Sequence, residues 1–239
     1  MAIINFTQLN RIPAPQKPVG FTALELKRID ITQVSDTHHS GAYCLAAALT
    51  ALGVLPRQCE LNVHLDSDKA PFLVSAQVSL FPDFSFAKIA RKLYRVTGVG
   101  NEVAIDELIE AGGVNSLAAM SSVALQLGLK AHLQFTQACY KHYLQFMPHE
   151  LQRCKEVLGD AQLVVSDVER LPNNDEIALV LVHSLNDIKP HWLALSHDNS
   201  YYDPLRSYYP GQQFGVVGAP WSSRPYVDSG LTLWLSVNN

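Results

Sequence analysis

Four positions in this 239-residue chain could do chemistry together. Gln33 lies seven residues before Ser40-Gly41, and Ser40 stands at the start of the Ala/Leu-rich stretch GAYCLAAALTALGV (41–54). Far downstream, His191 opens the short run HWLALSH, and twelve residues later Asp203 falls at the end of the next run, SYYDPL. A nucleophile at the start of a helix sits among N–H groups with no intrahelical partner, at the positive end of the dipole, which lowers the pKa of a thiol placed there. A neighbouring imidazole can take the proton, and a carboxylate can orient the imidazole. A hairpin with His on one strand and Asp on the next brings those two side chains within reach. Gln33 would then offer a side-chain N–H to the oxyanion, beside the backbone N–H of the nucleophile, and Gly41 would leave room for a carbonyl to approach.

Each residue also has a plainer reading. Ser40 occupies an N-cap position, where serine is favoured without any catalytic role. His191 could be a core histidine at a strand start, and Asp203 before Pro204 is a common turn pair. His197 shares the parity of His191 but adjoins the Asp198-Asn199 turn, so it is expected to be solvated. Trp192, Tyr201 and Tyr202 could line a cleft, although aromatic residues are ordinary in strands. His38, His39 and Cys44 match no metal-ligand spacing, so no metal site is expected. There is no Gly-rich phosphate loop, Gly-x-Ser-x-Gly elbow or His-Glu-x-x-His, and no cofactor is expected.

The elements that must hold these residues follow from periodicity. Helices are expected over 41–54, with Gly53 as the stop, and over 84–98, 104–113 and 115–129, the last capped by Asn115 or Ser116. A helical stretch at 137–159 should break near Pro148. A strand is expected at 130–135 and, more weakly, at 21–34, while the proline-rich 1–20 reads as part of an extended arm over 1–30. Residues 55–82 are ambiguous between helix and strand. From about residue 160 the pattern changes to short β-branched or aromatic runs, 161–168, 176–185, 191–197, 200–205 and 230–237, separated by turn signals. Helices first and an antiparallel sheet second is an α+β pattern, here in a single domain of 1–239.

The order of these segments resembles a known clan. HHSGAYCLAAALTALG resembles the nucleophile helix of papain-like cysteine peptidases, in which a glutamine precedes Cys-Gly. GVNSLAAMSSVALQLGLKAHL (113–133) resembles the second helix of the peptidases that process bacteriocin leaders, and PHWLALSHDNSYYDPL (190–205) resembles their His strand and following Asp-Pro. Glutamine-deamidase effectors of bacteria share the layout. The resemblance spans roughly residues 30–210 and implies a papain-like α+β fold, with a helical half packed on a C-terminal antiparallel sheet. It implies Ser40, His191 and Asp203 as the triad positions and Gln33 as the oxyanion donor. The chain departs from the pattern at the nucleophile, where Ser40 replaces cysteine, and the Gln33 spacing is one residue longer. Cys44, one turn further on, is the alternative nucleophile, but its place between Tyr43 and Leu45 suits a core cysteine better. The implied activity is a cysteine-type amide hydrolase, a peptidase or a protein-glutamine deamidase, inactivated by the serine. A binding module that kept the fold and lost the thiol is the competing class.

Bulk properties bound this reading. A net charge of -4 gives no basic surplus for nucleic acid, and no 18-residue apolar run predicts a membrane span. The expected partner is a protein or peptide substrate. The N-terminal residues lack the basic start and apolar core of a secretory signal, so synthesis in the cytoplasm is expected, compatible with an effector exported by another route. The four cysteines, Cys44, Cys59, Cys139 and Cys154, are too widely spaced for a zinc ribbon or a disulfide scaffold and are expected to be reduced.

Overall fold

The computed structural model describes residues 39–64, 74–98, 115–184, 190–197, 201–204, 207–209 and 226–238. The expected arm at 1–30, the strand at 21–34, Gln33 and the helix at 104–113 lie outside the described residues. Helix α1 (Ser40–Ala51) is apolar all round and accordingly buried along almost its whole length, with Leu45, Ala46, Ala47, Ala48 and Leu49 fully enclosed. It stops at Leu52, followed by Gly53 at φ 68°, a backbone conformation that glycine adopts without a Cβ penalty. Helix α2 (Phe86–Thr97) is capped by Ser85, whose side chain accepts from the Lys88 N–H, and buries one face through Ile89, Leu93 and Val96. Helix α3 (Leu117–Gln126) is capped by Ser116, which accepts from the Ala119 N–H at 3.1 Å, in accord with one of the two expected caps.

The long helical stretch breaks where proline predicts. Helix α4 (Gln137–Phe146), capped by Thr136, ends before Pro148, and helix α5 (Pro148–Leu158) takes that proline into its first turn, where a missing N–H costs nothing. Helix α5 returns a contact to α3. Glu150 Oε1 accepts from Ser116 Oγ at 2.9 Å and from the Ala118 N–H at 3.0 Å, so it satisfies an amide in the first turn of α3 and braces its cap.

The described parts of residues 55–82 hold an element that periodicity did not resolve. Strands β1 (Cys59–His64) and β2 (Val74–Leu80) pair antiparallel as a separate two-stranded sheet. Its inward residues Leu61, Val78 and Leu80 join the main core. Among the described residues the larger sheet has seven strands: β3 (Leu129–Phe135), β4 (Leu163–Val165), β5 (Glu176–Ser184), β6 (Pro190–Leu195), β7 (Tyr201–Asp203), β8 (Ser207–Tyr209) and β9 (Tyr226–Val237). Their spatial order is β4-β3-β9-β5-β6-β7-β8.

Two expectations about this sheet need correction. It is not built from residues 161–237 alone: β3 inserts between β4 and β9, and β4 pairs with β3 in parallel. Strand β4 is also shorter than the expected 161–168. From Ser166 onward the backbone turns away, and Asp167 Oδ1 accepts from the Gln137 N–H at 2.9 Å, which ties this turn to the start of α4. The remaining pairings are antiparallel. One face of the sheet, with Leu133, Leu179, Trp192, Ala194, Tyr202, Leu231 and Leu233, packs with the helices in one core. The alternate residues, Ala178, Val180, Leu193, Leu195, Tyr201 and Trp234, form a second cluster on the other face, with Tyr226. Helices on one face of a mainly antiparallel sheet make an α+β fold, and this one is compatible with a papain-like arrangement. Among the described residues, no helix is long and apolar enough to cross a membrane.

Candidate active site

Strand β7 is short and, among the described residues, pairs with β6 through Ala194↔Tyr202 and Leu195↔Tyr201. Below that pairing the open edge of β6 is met by the first turn of α1. The Trp192 N–H donates to Ser40 Oγ at 3.2 Å, and the Trp192 carbonyl accepts from Cys44 Sγ at 3.1 Å. Residues 40 and 44 lie one helical turn apart on the same face. A single residue of β6 is therefore held through both its backbone groups by one turn of α1, and the N–H that meets Ser40 belongs to the peptide joining His191 to Trp192.

Ser40 is the first residue of α1, not its cap. His39 takes the cap position, where its side chain does not cap the helix amides, and its ring lies against Tyr94 at a centroid distance of 4.0 Å. The Ser40 hydroxyl is consequently turned to β6 and does not serve the helix amides. The first intrahelical bond of α1 runs from the Tyr43 N–H to the His39 carbonyl, so the amides of residues 40–42 point out of the helix start beside Ser40. That is the local electrostatics expected to favour negative charge.

His191 and Asp203 come together as the hairpin predicts. His191 Nε2 lies 2.9 Å from Asp203 Oδ1, and both side chains are almost fully buried. With the carboxylate ionised, Nε2 carries the proton and Nδ1 presents its lone pair, a tautomer assigned from the network. Sequence reasoning missed Tyr226. Its hydroxyl donates to Asp203 Oδ2 at 3.0 Å, and its ring stacks on the His191 ring at 5.4 Å. The expected last strand started at residue 230, four residues too late to include it. His197 lies beyond the end of β6 and is half-buried.

Cys44 is fully enclosed, and burial pushes its thiol pKa well up, with the Asp203 carboxylate adding to the rise. It remains a protonated S–H donor to Trp192 and does not line the cleft. All four cysteines are free and buried. No cluster of three or more His, Cys, Asp or Glu side chains suited to a metal ion occurs among the described residues.

Ser40 opens on a cleft of about 520 Å³ whose walls include Asn115, Cys139, Tyr143, Met147 and Trp192. The space beside Gly41 is not left for a substrate carbonyl. A Cβ at Gly41 would fall 2.7 Å from Asn115 Cγ and 2.8 Å from Asn115 Nδ2. Sequence reasoning placed Asn115 only as a helix cap, and no local signal marks it otherwise. A second cavity lies elsewhere, under the 166–171 segment, where the Arg170 guanidinium sits 3.7 Å over the Trp234 ring. It contains none of the triad positions.

The α+β fold presents a helix start on a cleft and, outside the residues that line that cleft, a buried His–Asp pair on neighbouring strands. Residues 32–236 match the family described as Invasion plasmid antigen J, cysteine protease, and the chain belongs to that family. No curated protein and no solved structure gives a match.

Proposed function

We propose that this chain is built as a cysteine-type peptidase with residue 40 as nucleophile, His191 as general base and Asp203 as the group that orients it. Ser40 occupies the place of the cysteine and leaves the chain nearly inactive as written. Gln33 is the proposed first oxyanion donor. The observation that carries this reading is the bond from the Trp192 N–H to Ser40 Oγ at the start of α1, next in sequence to a histidine whose Nε2 is engaged by Asp203. Cys44 is disfavoured because it is enclosed and its thiol is held protonated.

With cysteine at position 40, the thiol proton passes to His191 Nδ1 and the sulfur attacks an amide carbonyl. The tetrahedral intermediate collapses to a thioester as the amine leaves with the proton from His191. Water, deprotonated by the same imidazole, then releases the acid. Membership in a cysteine protease family supports a protein or peptide substrate. The sequence resemblance to bacteriocin-leader peptidases and glutamine-deamidase effectors makes the leaving amine the point to test.

The test compares the chain as written with Ser40→Cys on candidate bacterial and host proteins, read by intact mass. Fragments from the cysteine form mean proteolysis, and the mass gain of an amide-to-acid change means deamidation. Iodoacetamide should block the cysteine form. His191→Ala should abolish its activity, and Asp203→Ala should reduce it less. Comparable turnover by the serine and cysteine forms, surviving iodoacetamide, would sink the mechanism. The serine itself favours one second reading, a binding module: an inert Ser40→Cys variant whose serine parent binds the same proteins would support it.

A further inference from the structure

The geometry points to Asn115 as a catalytic residue: its side-chain amide donates to the oxygen that becomes negative when a substrate carbonyl is attacked at position 40. This deepens the peptidase reading and rests on it. Three observations converge. Asn115 lines the same cleft as Ser40. Its side chain lies against Gly41, the residue after the nucleophile position, so closely that only a residue without a Cβ fits there. Its orientation is fixed from behind, because Asn115 Oδ1 accepts from Thr97 Oγ1 at 2.8 Å and Thr97 is fully buried at the end of α2.

The backbone around Asn115 is held as firmly. Asn115 forms an isolated antiparallel bridge with Gly98, and the Ser116 N–H donates to the Thr97 carbonyl at 2.7 Å. With Oδ1 committed to Thr97, the donor end of the carboxamide is the end beside the start of α1. Nδ2 carries two hydrogens, which gives this end donor capacity toward a ligand. A preorganised side-chain donor at a helix start, next to outward-pointing amides, is the arrangement that stabilises a tetrahedral oxyanion without reorganisation at the moment of attack. It also explains the glycine at position 41, which makes way for Asn115.

The experiment uses the full chain carrying Ser40→Cys and a peptide aldehyde, acetyl-Leu-Leu-norleucinal. The introduced thiolate adds to the aldehyde carbon, the C=O electron pair moves to oxygen, and a proton restores a neutral hemithioacetal. No group leaves and nothing is oxidised. Binding is read as protection of the introduced thiol from iodoacetamide, and the iodoacetamide rate without aldehyde reports the nucleophile alone. Asn115→Leu removes the donor without adding charge, and Asn115→Asp keeps an acceptor for Thr97 while removing the donor. Both should weaken aldehyde protection roughly three- to tenfold, the range of a hydrogen bond between neutral groups. Asn115→Leu should leave the bare iodoacetamide rate within about twofold, since alkylation forms no oxyanion. Undiminished protection in either variant overturns the role of Asn115 and leaves the nucleophile assignment standing. A bare rate that falls in Asn115→Leu as far as the protection does would show a structural role only, and overturns it equally. If the thiol of the Ser40→Cys parent is neither alkylated rapidly nor protected by the aldehyde, the peptidase reading falls, and Asn115 with it.

Discussion

Substitution of Gly41 by alanine tests the packing on which the site geometry depends. The new Cβ would lie 2.7 Å from Asn115 Cγ and 2.8 Å from Asn115 Cβ, well inside van der Waals contact. Asn115 cannot swing aside cheaply, because Thr97 holds its carboxamide and its backbone is bridged to Gly98. Overpacking of this kind costs about 1–3 kcal/mol. Against this, alanine is favoured over glycine within a helix by about 1 kcal/mol. The single substitution should therefore destabilise by about 0–2 kcal/mol, the difference of those two. In an Asn115→Gly background both the carboxamide and the Cβ are gone and the clash is relieved, so the helix preference dominates and Gly41→Ala should stabilise by about 0.5–1 kcal/mol. The cycle thus predicts a coupling of about 1–3 kcal/mol between two residues 74 positions apart (115 − 41). Urea unfolding of the four proteins, with equal m-values as the control, measures it. Free energies that add to within about 0.5 kcal/mol would refute the contact.

Two further substitutions address the buried charges. Tyr226→Phe removes a hydrogen bond from the enclosed Asp203 carboxylate and should cost about 1.5–3 kcal/mol in urea unfolding; a cost below about 0.5 would show that the hydroxyl does not support the carboxylate. Glu150 has its carboxyl pKa raised, by burial first, against the lowering effect of its bonds to Ala118 and Ser116 and of Arg153. A raised folded-state pKa means that the folded chain binds the proton more tightly than the unfolded chain. The stabilisation is complete below the ordinary carboxyl range and is lost as pH rises through the folded value. Glu150→Gln does not titrate, so its urea midpoint should gain on that of the parent between about pH 4 and about pH 7; a midpoint that instead falls further behind the parent with rising pH would contradict the sign.

The parts of the fold that were legible in sequence are those whose signal is local. The Ala/Leu stretch after Ser40, the cap at Ser116 and the break at Pro148 each act within a few residues of themselves. The hairpin of His191 and Asp203 was legible because both strands are short, adjacent in sequence and bounded by turn residues. The two-stranded β1/β2 sheet was not, because its partners are joined across residues 65–73 and its inward side chains find α2 and α3 only in the tertiary fold. The position of β4 was equally hidden: a three-residue strand gains its identity from pairing with β3, not from its own composition. In the site the same division holds. His191 and Asp203 are joined by a local hairpin, whereas Tyr226 and Asn115 reach their partners only through the tertiary fold.

The way α1 holds β6 explains why the two candidate nucleophiles, four residues apart, have such different chemistry. Ser40 and Cys44 contact the two backbone groups of Trp192, the first as acceptor and the second as donor. A carbonyl partner favours a protonated thiol, so the bond that anchors Cys44 also opposes its ionisation, in the same direction as its burial. An N–H partner favours negative charge. A sulfur at position 40 would meet that N–H and the outward amides of the first helical turn together, both of which stabilise a thiolate. The register of one helical turn against one residue of β6 thus makes one position hostile to a thiolate and the other favourable to one. It does so through backbone groups that remain whatever side chain stands at that place in β6, proline excepted.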